Sequence, residues 1–401
     1  MNLTFFNLNK NIASICAVLL GFSLAISTGS DSILLAIILL TALIGWHKQY
    51  LHIIHQNPVA KTALLLFGIL IIGCFYGAVP PSGSLKVLTK YDDLILVALL
   101  LPIFSQAKLR TYGQYAFMTA MALTLILSYL IWLGLLHIPQ RLPDNPVVFK
   151  LQITHGILMS FAAFVAAVYA VHTSGRVRWL MLLFSMLATF NVLLMTQGRT
   201  GYLTIIALAV YFMITLLSRR NLLLGIGLVI VASALTYVAS PKIQSRVMLA
   251  IHEAQTWQPK QGHNVDSSIG TRMDYYNNTI KIIRKNPLLG VGTGGFETAY
   301  AKEIENTAMA RSNNPHNQFL LFWAQTGIVG LLAFIFLLRT AWRAAMQLPS
   351  QTETMLARGV LITIIVGCLF NSLLLDHTEG LFFSWFSGLL FAGLPNHKQA
   401  E

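Results

Sequence analysis

An all-α membrane protein with many spans is the fold class this sequence predicts, and three observations predict it. Of 401 residues, 56% are hydrophobic and only 10% are charged, whereas soluble domains carry about a quarter charged residues. The apolar residues fall into runs close to the roughly 17 to 25 residues a helix needs to cross hydrocarbon. The basic residues, in turn, concentrate in every second connection between those runs.

The runs lie at 11–27, 30–46, 61–79, 91–104, 113–137, 156–172, 179–196, 201–217, 222–239, 319–338, 359–375 and 380–394. Twelve spans put both termini on one side of the membrane. The fourth run is short and begins inside LKVLTKYDDL, with its charges near the interface. The first follows a single lysine and has no small-residue cleavage site, so it reads as a span rather than a signal peptide. Thirteen basic residues flank the terminal side: Lys10, Lys48, Lys61, Lys108, Arg110, Arg176, Arg178, Arg219, Arg220, Arg339, Arg343, Arg358 and Lys398. The opposite short connections hold only Lys86, Lys90, Arg141, Lys150 and Arg199. The positive-inside rule then makes the termini cytoplasmic and places segment 240–318 outside the cytoplasm. The chain divides accordingly into nine spans over 1–239, a large outer loop over 240–318, and three spans with a short tail over 319–401.

Cys16, Cys74 and Cys368 sit within apolar runs without paired spacing and read as small core residues. The net charge of +13 does not point to nucleic acid, because topology accounts for half of the basic residues. Segment 240–318 keeps nine Lys and Arg against six Asp and Glu, an excess suited to an anionic substrate at the outer face. Polar residues within the spans are sparse and trace no ion path.

A loop this long carries structure of its own. SPKIQSRVMLAIHEAQTW opens on a Ser-Pro helix start and spaces Ile243, Val247, Ala250 and Ile251 helically. A second helix is expected from near Ser268 to Lys285, with Met273, Tyr276, Ile280 and Ile283 on one face and Pro287 as its stop. The two would form a lid over the bundle. NPLLGVGTGGF formally matches G-x-G-x-x-G, but no strand precedes it. It therefore reads as a tight turn allowing close backbone packing rather than a nucleotide motif.

The candidate site residues cluster at the outer connections. Arg199, between Gly198 and Gly201 in MTQGRTGYL, breaks the charge rule; it reads either as a snorkelling interface arginine or as a binding group. Arg246 and Arg272, on the two loop helices, add guanidinium forks suited to phosphate oxygens. Taken singly, each also reads as a solvated surface charge. In NNPHNQFLLFWAQTG, His316 follows Pro315 at the start of a span, with Asn317 and Gln318 placed to orient the ring or bind sugar hydroxyls. Asp376, His377 and Glu379 form a further polar cluster in LLLDHTEGLFF, where a carboxylate can hold an imidazole or a guanidinium. The spacing of these groups matches no zinc pattern.

The ordered set GRTG, the long loop with NPLLGVGTGGF, and PHNQFLLFWAQTGIVGLL at the start of a span resembles the O-antigen ligase family. O-antigen polymerases and O-oligosaccharyltransferases share that signature. The resemblance is best over about 180–390. It implies a GT-C-like, polytopic inner-membrane enzyme with a periplasmic active site, acting without cofactor, metal or nucleotide hydrolysis. It also implies transfer of O-antigen from undecaprenyl pyrophosphate to lipid A-core during lipopolysaccharide biosynthesis. On it, His316 corresponds to the family's loop histidine and base, Arg272 to the loop arginine, Arg199 to the earlier arginine and Asp376 to the carboxylate near the last span. Arg246 is a looser match. Arg199, Arg246 and Arg272 would then bind the pyrophosphate, and Asn317 and Gln318 the sugar. A polymerase or protein-glycosylating transferase shares the donor chemistry. A lipid-linked glycan transporter would instead need polar groups along a path through the spans.

Overall fold

The computed structural model describes residues 3–45, 48–77, 79–139, 141–239, 241–257, 268–307 and 309–395. Within those ranges, the side chains of residues 3–8, 48, 49 and 268 and of scattered positions over 219–254, Arg246 among them, lie outside the description. The helices are α1 Leu3–Ser23, α2 Thr28–Gly45, α3 Lys48–Gln56, α4 Pro58–Gly73, α5 Pro81–Leu88, α6 Asp93–Ile103, α7 Ala107–Trp132, α8 Gln152–His172 and α9 Gly175–Phe190. They continue as α10 Arg199–Leu216, α11 Arg219–Ala239, α12 Pro241–Thr256, α13 Ser268–Lys285, α14 Phe296–Glu303, α15 Gln318–Ala344, α16 Gln351–Phe370 and α17 His377–Phe391. No strand occurs among the described residues, so the all-α expectation holds. Each of the twelve apolar runs falls on a helix. Among the described residues, seven helices are long and apolar enough to cross a membrane, or eight if α3 and α4, bent by 87° at Asn57, count as one broken span. Twelve full-length crossings are therefore not reached among the described residues: α6 has 11 residues and α17 has 15.

The short α17 is the hub of the bundle. Its residues from Thr378 to Phe391 are buried, and Phe382 and Phe386 meet Phe117 of α7 and Phe161 of α8 in tilted and edge-on contacts with centroids 4.9–6.5 Å apart. Such offset and edge-on pairs contribute beyond their buried area. Trp385 donates its indole N–H to the Ala17 carbonyl at 2.8 Å, which ties α17 to α1. That first helix is thus packed into the core. By contrast, α9 and α11 expose Trp179, Leu180, Leu183, Leu223, Ile230 and Leu235, surfaces that need lipid rather than water around them. Cys16, Cys74 and Cys368 are free and buried, as expected.

Contacts sort the connections into two ends. At one end, Arg110 pairs with Glu353 at 3.1 Å and Asn57 donates to the Phe391 carbonyl at 3.0 Å. At the other, Lys150 lies near Asp31, Gln197 bonds Asp144, Tyr76 donates to the Leu289 carbonyl, and His316 meets Asn371. Each of these contacts among the described residues joins connections expected on the same face.

The two loop helices form where the sequence pattern places them. On α13, however, the buried positions are Asp274, Tyr275, Asn278, Thr279, Ile282 and Ile283, while Ile280 is exposed. The packing face is rotated from the expected Met273, Tyr276, Ile280 and Ile283 stripe, because Tyr275, Ile282 and Ile283 join Phe296, Tyr300 and Ile304 against Leu321 and Ala324 of α15. The first loop helix leaves Val247 and Ile251 exposed.

The glycine run is the joint between this loop and the bundle. α15 breaks at Thr326 and Gly327, whose φ of 65° is open to glycine. The break leaves carbonyls without helical partners, and buried backbone groups must find others. Val291 N–H donates to the Ala324 carbonyl at 2.9 Å and Gly292 N–H to the Gln325 carbonyl at 2.8 Å, while Thr293 N–H reaches Gly73 of α4 at 2.8 Å. Gly292 has φ of 86°, and a Cβ there would collide with the Tyr76 carbonyl. The tight-turn reading of NPLLGVGTGGF is therefore the one the geometry shows.

A Cβ on Gly327 would collide with the Leu288 carbonyl and add strain of at least about 1–3 kcal/mol. Gly327→Ala should lower the unfolding temperature of the detergent-purified protein, whereas Gly68→Ala, facing open space, should not. Equal melting of the two variants would show that the interlock does not hold the loop in place.

Candidate active site

His316 lies at the junction of the loop and α15, in a backbone conformation that the surroundings enforce. Its φ is 52°, uncommon for a residue with a Cβ and costing about 1–3 kcal/mol. Asn314 Oδ1 accepts the His316 N–H at 2.9 Å, and the Tyr276 hydroxyl donates to the His316 carbonyl at 3.4 Å. The buried Pro315 precedes it. The ring stacks on Tyr275, with centroids 5.4 Å apart and planes 21° from parallel. Strain retained at one residue by this many contacts is a mark of a functional position.

The imidazole is oriented by a residue that the sequence pattern did not single out. His316 Nδ1 lies 3.0 Å from Asn371 Oδ1, and Asn371 Nδ2 donates to Asp376 Oδ2 at 3.4 Å. A carboxylate only accepts, so it draws the amide N–H of Asn371 and turns the amide oxygen toward the ring. Nδ1 must then carry the proton, and Nε2 keeps its lone pair. Of the two partners open to Asp376, an imidazole or a guanidinium, it is linked to the imidazole of His316, and through Asn371 at the C-terminus of α16 rather than directly. An asparagine five residues before Asp376, just past a span, was the available signal.

Arg272 on α13 comes within electrostatic reach of His316 and of Arg199. Burial pulls the Arg272 pKa down from its ordinary value, Tyr276 opposes that shift and Arg199 adds to it. His316 is shifted below its ordinary value, chiefly by burial; Asn371 opposes this and Arg272 reinforces it. An imidazole so placed is neutral at pH 7. Asp376 is raised by burial, while Lys90 pulls it back.

Arg199 owes its position to close helix packing. A π-helical turn, Asn191–Met195, ends α9, a feature frequent near functional sites. There Asn191 donates to Ser128 at 2.7 Å and faces His155 Nε2 at 3.0 Å. The chain then turns into α10, where a Cβ on Gly201 would stand 3.0 Å from the Gly156 Cα of α8. The close approach expected of GRTG is present, and it sets Arg199 at the first residue of α10, half-buried.

The remaining candidates fare differently. Gln318 is fully buried and its amide oxygen accepts the Leu374 N–H at 3.0 Å, so a structural joint replaces the expected sugar contact. Asn317 caps α15 through the Leu320 N–H at 3.0 Å and donates to the Leu369 carbonyl at 3.0 Å; both ends of its amide are engaged in holding α15 to α16. Arg246 lies on α12 with its side chain outside the described residues. His377 and Glu379 belong to a separate network, with Glu379 buried and His377 exposed at its rim. His377 Nε2 lies 3.6 Å from Asp31, Lys150 lies 4.0 Å from the same carboxylate and donates to Thr378 at 3.0 Å, and Thr154 donates to Glu379. Asp31 and Lys150 were not anticipated, since an acid within an apolar run gives no hint of its partner.

The signs of these shifts are testable by NMR titration of labelled histidine, with the His316 signal assigned by its loss in His316→Asn. Its pKa should lie below 6.5. Arg272→Gln should raise it and Asn371→Leu should lower it further. Because the fold favours the neutral ring, its contribution to stability is present above about pH 6.5 and lost as pH falls toward the folded pKa. A pKa at or above 6.5 would contradict the burial described here.

Residues 184–335 match the family model described as O-antigen ligase. The match takes in Arg199, Arg272, the glycine loop, His316 and the break in α15, and stops short of Asn371 and Asp376. A curated protein of Haemophilus influenzae, described as uncharacterized, is 27% identical over 127 residues, 30% of this chain and 31% of the relative. The alignment thus spans under a third of that relative's length. Arg199, Arg272 and His316 all lie inside the matched region, so residues 184–335 of the chain are similar to the O-antigen ligase family.

Proposed function

We propose that this protein is an O-antigen ligase: an inverting glycosyltransferase that moves O-antigen polysaccharide from undecaprenyl pyrophosphate to lipid A-core, without metal or other cofactor. The charge rule supports cytoplasmic termini and a periplasmic site in the bacterial inner membrane. The observation that carries the reading is the Asp376–Asn371–His316 chain, which leaves Nε2 free for a proton in reach of Arg272, itself in reach of Arg199.

The chemistry divides between these groups. A sugar on a lipid pyrophosphate already has a good leaving group, so the main demand is to stabilise charge developing on the diphosphate as the anomeric C–O bond breaks. Arg272 and Arg199 supply positive charge in a partly desolvated site, where fixed charges act most strongly. The attacking acceptor hydroxyl must lose its proton, and His316 Nε2 can take it because the ring is neutral near pH 7. Asp376 acts through Asn371, holding the tautomer and the ring plane. Attack opposite the leaving group inverts the anomeric centre.

Removing one charge-assisted contact in such a site costs about 2–5 kcal/mol, or about 30- to several-thousand-fold in rate. Arg272→Ala should lose transfer activity on that scale while folding normally. Arg272→Lys should also be impaired, since an ammonium does not reproduce the guanidinium fork. The assay is purified protein with lipid-pyrophosphate glycan and lipid A-core, with chelator and no nucleotide. Glycan joined to lipid A-core supports the ligase; elongation of the donor glycan alone would identify a polymerase; and full-speed transfer by Arg272→Ala would remove that residue from the mechanism.

A further inference from the structure

Beyond the arginines and His316, a second charged feature occupies the same end of the bundle. A cavity of about 310 Å³ lies between α5, the start of α14 and the loop that carries His316. Lys86, Lys90, Glu297, Thr298 and Asn313 line it, with Leu375 at its edge beside Asp376. Its size is at the lower end of the range for small-molecule sites.

The two lysines are hard to explain by stability. They stand four residues apart, so they share one face across α5 and the helical turn Thr89–Tyr91 that follows it. Like charges at that spacing repel. Neither has a carboxylate within ion-pair distance among the described residues, although Lys90 acts on Asp376 at longer range. Both also belong to the few basic residues in the connections that the charge rule leaves poor in lysine. Two exposed ammonium groups kept together at a cavity wall invite an anion.

The rest of the lining narrows the class of ligand. Glu297 leaves the wall with one net positive charge, and with Thr298 and Asn313 it offers acceptors and donors for hydroxyl groups. Lysines are hydrated point charges that grip an anion less tightly than guanidinium forks, which suits a group that must be held and released. Leu375 on the cavity wall precedes Asp376 in the chain, and Asp376 leads through Asn371 to the His316 ring.

We infer that this cavity is an acceptor-side subsite for a sugar bearing one anionic substituent, phosphate or carboxylate, with Lys86 and Lys90 holding the anion and Glu297, Thr298 and Asn313 its hydroxyls. The inference rests on the transferase reading, so its test uses binding in the absence of donor. The probes are core oligosaccharide released from lipopolysaccharide by mild acid, the same oligosaccharide after phosphatase, and the same after reduction of its carboxyl groups. Each is titrated into purified wild-type protein, K86Q/K90Q and K86R/K90R.

Binding of the untreated oligosaccharide should weaken about tenfold in K86Q/K90Q, fall with added salt, and persist in K86R/K90R. Whichever treatment reproduces the loss in the wild-type protein identifies the anion. Equal binding by wild type and K86Q/K90Q overturns the subsite, as does no binding by wild type or an equal loss for the probe stripped of its anions. If the lysine effect is present while wild-type protein with donor transfers nothing to lipid A-core, the subsite stands and the ligase reading fails. Transfer to lipid A-core without any lysine effect overturns the subsite and leaves the ligase reading standing.

Discussion

The break in α15 at Thr326–Gly327 is the constraint on which the site depends. Inside a membrane bundle, a carbonyl without a partner is costly because no water is at hand to satisfy it. The glycine loop supplies the missing N–H groups from Val291 and Gly292, and Thr293 ties the same loop to Gly73 of α4. One short segment therefore fixes α13 and α14 against the bundle. With α13 placed, Arg272 comes within reach of His316, and Tyr275 comes under the imidazole ring. The glycines matter as the joint that makes this geometry possible.

Electrostatics then follow from position. Two cationic side chains drawn near each other, one of them with its charge disfavoured by burial, form an arrangement that a bound dianion relieves. Without such a ligand their proximity contributes nothing to folding. The same neighbourhood keeps His316 neutral, because burial and Arg272 both disfavour its protonation. On the proposed reading, a site that concentrates positive charge and still keeps its base unprotonated would separate the two tasks of glycosyl transfer from a lipid diphosphate: holding the leaving group and accepting the nucleophile's proton. Asp376 is remote enough to leave that balance intact, and it sets the tautomer through an amide rather than by placing a negative charge on the ring.

Much of this is legible in the sequence. Hydrophobic run lengths give the helices, and a Ser-Pro start and Arg284-Lys285-Asn286-Pro287 give the ends of α12 and α13. Arg199, Arg272 and His316 stand out because each is ionisable, or placed beside glycine or proline, at an interface where such groups are costly. What is not legible depends on partners distant in the chain. Asn371 looks like an ordinary polar residue at the end of a span until His316, 55 positions earlier, is brought against it. Gln318 looks like a sugar ligand because its burial is decided by Leu374, on another element. The α13 face departs from the periodic stripe because Tyr275 packs on Tyr300 and His316 while Ile280, more apolar, stays exposed. Periodicity predicts that a helix has a buried face, but the neighbours select it.

The central claim is that a diphosphate sits on Arg272 and Arg199 while His316 Nε2 stays free for the acceptor. An electron cryo-microscopy structure of the protein with undecaprenyl pyrophosphate bound tests this most directly. The account predicts diphosphate density bridging the two guanidinium groups, with the His316 ring still on Asn371 and its Nε2 facing an open approach. Density for the diphosphate elsewhere, or an imidazole of His316 bonded to phosphate, would contradict it.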